Sequence, residues 1–162
     1  VAVILADDLI EANPGCMKQM IEKWDGGNMV ATMNVEDKDT SSYGIITPGK
    51  IIRDKIEVLG IVEKPKPKNA PSNIAVVGRY IIQPSVFEDL ALQKKGTNDE
   101  IQLTDSLSSQ IGKAPFYAYN FIGTRYDCGT KIGFTKANTN FALKDDEIGK
   151  EYNDWLSSLL KN

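Results

Sequence analysis

VAVILADD, residues 1–8, carries the first decision about the fold. Its five leading apolar residues, rich in β-branched side chains, form an unbroken run. That is the pattern of a strand buried on both faces, typical of parallel sheets. The run stops at Ala6 and two aspartates follow. In open α/β sheets ligands sit beyond the carboxyl ends of such strands, so Asp7 stands where chemistry is expected. Next in the chain, Asn13-Pro14 predicts an N-cap followed by proline at the first helical position. Met17, Met20, Ile21 and Trp24 follow at helical spacing, and Gly26-Gly27 ends the helix. NMVATMNV, residues 28–35, predicts the next strand and completes a βαβ-like unit.

Further along, residues 36–42 read as a charged, hydroxyl-rich loop. Tyr43-Gly44-Ile45-Ile46 opens a strand that Pro48-Gly49 is expected to break. IEVLGIVE, residues 56–63, predicts a strand running into the stiff basic stretch KPKPK at 64–68. IAVVGRYII, residues 74–82, has the strongest strand pattern, interrupted by Gly78, where a ligand or another backbone is expected to approach closely. Helices are expected over 84–92 and 100–111, a strand over 116–122, a turn over 125–129, and helices over 130–143 and 145–160.

The bulk properties exclude several function classes. The chain has 162 residues, 41% of them hydrophobic and 25% charged, enough for one domain with a core of its own. A net charge of −3 gives no footprint for nucleic acid or an anionic membrane. With no histidine, a histidine-based triad is excluded and so are most zinc sites. Acid–base or metal chemistry must therefore use carboxylates, lysines or hydroxyls. Cys16 and Cys128 are far apart and unclustered, which fits a reducing, cytoplasmic setting. No apolar run reaches the length of a membrane helix, and no secretory signal is visible. The chain starts at Val1 within an apolar run, as though cut at a strand, which leaves an open sheet edge.

Several constellations could carry chemistry. Asp7 follows a strand, and Asp127 lies between a strand and a helix. Two such carboxylates brought together could hold Mg²⁺, a hard ion that prefers oxygen ligands and phosphate. Taken singly, each reads more readily as a cap or turn former. Glu63-Lys64-Pro65 closes a strand: the carboxylate can accept from sugar hydroxyls and the ammonium can neutralise a phosphate. Alone it also reads as a solvated strand end. Gly44 and Gly78 could let a substrate pack against the main chain, or could serve a turn or bulge. Glu100 to Asp105, preceded by Asn98-Asp99, reads locally as a capped helix start.

The order of these pieces gives them weight. LADDLI at 5–10, Tyr43-Gly44, GIVEKP at 60–65, APSN at 70–73, VGRY at 77–80, DEIQLTD at 99–105 and YDCGTK at 126–131 form a series. It resembles the bacterial UTP–glucose-1-phosphate uridylyltransferases over nearly the whole chain. GIVEKP, APSN, VGRY and DEIQLTD in combination are specific to that type. EKP and D-x-G-T alone indicate only the wider sugar-phosphate nucleotidyltransferase superfamily.

The resemblance implies a mixed, Rossmann-like α/β sheet. It also implies conversion of UTP and glucose 1-phosphate to UDP-glucose and pyrophosphate, with Mg²⁺ as cofactor. It makes Asp7 and Asp127 the metal ligands. Glu63 would bind sugar hydroxyls, Lys64 would be the catalytic group on the sugar phosphate, and Gly44 and Gly78 would line the sugar pocket. Asp8 falls where relatives can carry an apolar residue and is given no ligand role.

One departure is large. The Gly-rich nucleotide loop of the family is absent; Gly123-Thr124-Arg125 is only a superficial echo of it. The expectation is therefore an N-terminally truncated piece, inactive alone. Residues 1–144 would be the sugar-phosphate and metal part, and 145–162 a C-terminal helix available for a contact between copies in a homo-oligomer. Other readings are a thymidylyl- or adenylyltransferase of the same superfamily, a metal-dependent glycosyltransferase suggested by Asp7-Asp8, and a non-catalytic sugar-phosphate-binding or assembly module.

Overall fold

The computed structural model describes residues 1–92 and 102–159. Eight strands and five α-helices follow in the order β1 (Ala2–Ile4), β2 (Asp8–Glu11), α1 (Cys16–Lys23), β3 (Asn28–Asn34), β4 (Gly44–Ile52), β5 (Lys55–Glu63), β6 (Ile74–Ile81), α2 (Pro84–Leu92), α3 (Leu103–Ser109), β7 (Phe116–Asn120), β8 (Thr124–Asp127), α4 (Lys131–Lys144) and α5 (Gly149–Leu159) among the described residues. Six strands make one mixed sheet in the order β1-β6-β3-β7-β5-β4. β3 and β7 are parallel, and β6 runs antiparallel to both β1 and β3. β1 and β3 therefore share one direction with β6 inserted between them. This is the expected βαβ-like unit, split by a later strand.

The long β4–β5 hairpin curls until Ile45 meets Ala75 of β6, so the hairpin's far end returns to the sheet. One core face holds Val30, Ile46, Val58, Ile82, Val86, Leu107 and Phe116, closed by α2 and α3. The opposite face holds Met20, Met29, Ala31, Val77 and Tyr119 under α1. Alternation along β3 and β6 feeds both faces, so these strands carry almost no exposed position.

Several local expectations change. The run at 1–5 forms an edge strand with an antiparallel neighbour, and Val1 and Ile4 remain 65% and 58% exposed. Its apolar pattern describes a fully covered strand, but β6 covers one edge only. The first helix starts at Cys16 with Gly15 as its cap, so Asn13 and Pro14 lie outside it. Its buried face is Cys16, Gln19 and Met20, while Ile21 and Trp24 are exposed. Gln19 is buried because its amide is used three times: it donates to the carbonyls of Pro14 and Ile122 and accepts from the Ile122 N–H. Pro48-Gly49 does not break β4, because register shifts on both sides of Pro48 absorb it. The predicted turn at 125–129 is strand up to Asp127, paired with an unforeseen strand at Asp8–Glu11.

Lys55 is an unforeseen core residue. It is 1% exposed, is ion-paired to Asp25, and lies 4.3 Å from the centroid of the Tyr117 ring. Helix α4, capped by the Thr130 hydroxyl accepting from the Gly133 N–H, packs on the β2–β8 ribbon. Glu11 of the ribbon holds it by accepting from Asn140 and Lys144. Asp145 ends α4, and α5 starts four residues later. Phe134, Phe141, Leu143, Trp155 and Leu159 all keep exposed surface, although Phe141 also meets Tyr126 of β8 edge-on, with ring centroids 6.2 Å apart. Among the described residues no helix is long and apolar enough to cross a membrane.

Candidate active site

The six residues singled out by motif lie on five separate stretches of chain. Asp7 follows β1, Gly44 opens β4, Glu63 ends β5 with Lys64 next, Gly78 lies within β6, and Asp127 ends β8. All six line one cleft of about 390 Å³. Tyr43, Ile61, Tyr80, Gln102, Thr104 and Arg125 are among its other walls. Of the DEIQLTD motif, residues 99–101 lie outside the described residues, while Gln102, Leu103 and Thr104 reach the cleft.

The carboxylate wall is built by the β2–β8 ribbon. Asp8 pairs with Asp127, and the Cys128 N–H donates to the Asp7 carbonyl at 2.8 Å, continuing the pairing by one step. Both flanking carboxylates face the same missing side chain. A Cβ on Gly129 would lie 3.1 Å from Asp127 Oδ1 and 3.2 Å from Asp7 Oδ2. The Gly129 N–H already donates to Asp127 Oδ1 at 3.1 Å, which orients that carboxylate.

This pair fits a cation of the Mg²⁺ type. The donors are hard oxygens. Among the described residues no third acidic, cysteine or histidine side chain completes a ligand cluster. Mg²⁺ commonly takes one or two carboxylates and completes its shell with water and phosphate. The charge count points the same way. Asp7, Asp8, Glu63 and Asp127 line the cleft against Lys64 and Arg125, so four carboxylates face two cations. Such a cleft repels a phosphate ester unless a cation enters with it.

Glu63, Lys64 and Thr104 line another part of the cleft, the expected sugar wall. Glu63 Oε2 accepts from the Thr104 hydroxyl at 2.8 Å, and Lys64 Nζ stands 3.9 Å from Glu63 Oε1. Lys64 has φ of +44°, a left-handed conformation that a non-glycine residue adopts at some cost. Its N–H donates to the Tyr43 carbonyl at 3.0 Å, which helps hold it there. Retained strain of this sort concentrates at functional sites. Tyr80 has its phenol pushed up to about 12 by burial and by the negative charges of Asp8, Glu63 and Asp7. It stays protonated at neutral pH, so it can hydrogen-bond but cannot act as a base.

The motif reading missed Asp8 and Arg125. Asp8 is buried; its Oδ2 accepts from the Gly78 N–H at 2.6 Å, and its Oδ1 accepts from Arg125 Nε. Burial works against the Arg125 charge, but the Asp8 carboxylate more than offsets it, so the pKa of Arg125 lies above the ordinary arginine value. The close neighbour expected at Gly78 is thus the protein itself. A Cβ at Gly78 would lie 2.5 Å from Asp8 Oδ2 and 2.7 Å from Leu5 Cβ. Gly78→Ala is expected to cost about 1–3 kcal/mol, as overpacking does, and to loosen the carboxylate wall. An unchanged denaturation midpoint would contradict this.

A family model described as nucleotidyl transferase matches residues 1–144. A UTP–glucose-1-phosphate uridylyltransferase of Staphylococcus epidermidis is 39% identical over 160 residues, covering 98% of this chain and 56% of that protein. A second one, from Staphylococcus saprophyticus, is 40% identical over 162 residues, with coverage of 99% and 56%. A crystal structure of a UDP-glucose pyrophosphorylase complexed with UDP-glucose superposes with a TM-score of 0.83 at 40% identity, covering 89% of this chain and 56% of that one. The chain therefore spans about 56% of the length of the curated relatives it matches.

Proposed function

The chain belongs to the nucleotidyl transferase family, and from that premise we propose that it supplies the sugar-phosphate side of an enzyme that makes UDP-glucose. The reaction is uridylyl transfer. An oxygen of the glucose 1-phosphate attacks the α-phosphorus of UTP in line, the bond to the β-phosphate oxygen breaks, and pyrophosphate leaves. One observation carries the reading: Asp7, Gly44, Glu63, Lys64, Gly78 and Asp127, chosen by motif from across the chain, line a single cleft. The uracil preference rests on the uridylyltransferase name of relatives at 39–40% identity.

The residues divide the work. Glu63, steadied by Thr104, accepts from sugar hydroxyls. Lys64 neutralises the sugar phosphate. Asp7 and Asp127 would hold Mg²⁺, which when bound supplies neutralisation of phosphate charge. The sugar phosphate is already an anionic nucleophile at neutral pH, so no base is needed, in keeping with a chain without histidine. Rate enhancement comes from positioning and charge compensation.

A pyrophosphate-release assay on the whole natural protein tests this, with glucose 1-phosphate and UTP, dTTP or ATP, with and without Mg²⁺. UTP is expected to be preferred and the cation required. A preference for dTTP or ATP would shift the reading to another member of the superfamily. Consumption of UDP-glucose with no pyrophosphate chemistry would overturn it in favour of a glycosyltransferase.

Residues 145–162 are read as a separate C-terminal element from the part at 1–144. The exposed Trp155 and Leu159, with Phe134 and Phe141 on α4, support a contact between copies in a homo-oligomer. Sedimentation with and without residues 145–162 checks it; an unchanged mass removes the assignment. Cys16 and Cys128 are both free thiols, which supports a cytoplasmic setting. Fractionation of cells with an antibody to the protein would test that.

A further inference from the structure

We propose that Arg125 is a positioning residue that locks the sugar wall of the cleft to its carboxylate wall, so that both present one fixed geometry to the sugar nucleotide. The inference rests on the reading of the cleft as a sugar-nucleotide site. It concerns residues that the motif resemblance left without a role.

The guanidinium sits at the junction of the two walls, with its side chain 11% exposed. Nε donates to Asp8 Oδ1. Nη1 donates to the Tyr43 hydroxyl at 3.1 Å. Nη2 lies 3.9 Å from Asp127 Oδ2. The guanidinium carbon is also 5.2 Å from the centroid of the Tyr43 ring. Three acceptors on three segments are thus addressed by one planar group. A guanidinium can do this because its donors form a rigid fork, whereas an ammonium is a single point of charge.

The chain of contacts continues on both sides. Asp8 passes it to Gly78, whose N–H it accepts at 2.6 Å, and the Asp8 carbonyl accepts from Arg79 Nη2 at 2.6 Å. Tyr43 passes it to Lys64 through the bond from the Lys64 N–H, and Gly44 is the next residue in the chain. Gly78, Asp127, Gly44 and Lys64 are therefore linked through one arginine. None of these four residues is near another in sequence.

Arg125 acts through the others rather than by touching the phosphates, and this sets it apart from Lys64. Lys64 Nζ stands 3.9 Å from Glu63 Oε1, its one ion-pair partner among the described residues, and its side chain is 64% exposed. The Arg125 donors point into the protein.

The test is calorimetric titration of UDP-glucose into the whole natural protein and its Arg125→Lys, Tyr43→Phe and doubly substituted forms, with thermal melting of each. Each single change is expected to weaken binding by about fivefold or more, the value of one hydrogen bond. The double substitution is expected to be no more than about twofold weaker than Arg125→Lys alone, because Tyr43 acts through Arg125. Turnover should show both a raised KM for glucose 1-phosphate and a lowered kcat, since Lys64 and Asp127 are both displaced.

Tyr43→Phe removes one oxygen and keeps the ring, so it remains informative if Arg125→Lys folds poorly. Wild-type affinity in Arg125→Lys would mean that the charge alone matters, and multiplicative single effects would mean that the two residues act independently. Either overturns the positioning role. Failure of the wild type to bind UDP-glucose would instead overturn the functional reading, and this inference with it.

Discussion

Asp127→Asn is expected to lower uridylyl transfer by about 100- to 1,000-fold, with a higher Mg²⁺ requirement and little change in stability. The fold should survive because an asparagine carbonyl oxygen can still accept from the Gly129 N–H at 3.1 Å. The Asp127 backbone also remains available to receive the Thr130 hydroxyl. What is lost is one of two charged oxygen donors facing the Gly129 position. A bound cation contributes several kcal/mol of charge stabilisation at a phosphoryl group, and about 1.4 kcal/mol is tenfold in rate. The measurement is pyrophosphate release against Mg²⁺ concentration, beside a thermal melt. Asp7→Asn should behave alike. A variant with wild-type turnover and an unchanged Mg²⁺ dependence would remove Asp127 from the cation site.

The second large effect is expected at Lys64, where chemistry and backbone strain make opposite demands. Lys64→Gly should be at least as stable as the wild type, yet lose about ten- to a hundredfold in kcat/KM for glucose 1-phosphate. Glycine adopts the φ of +44° without the steric cost that a Cβ brings. The side chain is largely exposed and stands 3.9 Å from the Glu63 carboxylate, so little packing is lost. The activity loss follows from removing a charged hydrogen bond to phosphate, worth about 1.5–3 kcal/mol. Lys64→Met, which keeps the Cβ, should lose the same activity without the backbone relief. The comparison of the two variants by melting and by kinetics decides the point. If Lys64→Gly melts lower and turns over normally, the left-handed conformation is not held for function.

Much of the element order was legible from local patterns. The strands at 28–34, 55–63 and 74–81 lie where apolar runs placed them, and the strand at 116–120 where alternation did, to within a residue or two. Such runs advertise themselves because a strand covered on both faces has no room for polar residues. Boundaries that depend on neighbours were not legible. Pro48 breaks an isolated strand pattern, but the hairpin partner takes up the irregularity by shifting register. Ile21 and Trp24 have helical spacing, yet the buried face of α1 is decided by where β3 and β6 lie against it. Nothing in the residues beside Lys55 signals its burial, which follows from Asp25 and Tyr117 meeting it from distant segments.

The cleft divides in the same way. By itself the sequence singled out the candidates: the aspartate after the VAVIL run, the Glu63-Lys64-Pro65 strand end, Gly44 and Gly78, and the aspartate before Cys128-Gly129. These are short motifs with fixed residue types, and they survive in a string of letters. Only the tertiary structure decided how they meet. The pairing of Asp8 with Asp127 joins segments 119 positions apart, and it turns a predicted turn into the strand that sets two carboxylates side by side. The Asp8–Arg125 contact spans 117 positions. Contacts of that range are paid for in loop-closure entropy and stabilised by burial, and neither quantity is written in the residues on either side of them. That is why VAVILADD announces a site at its end, while the residue that holds the site together could be found only in the fold.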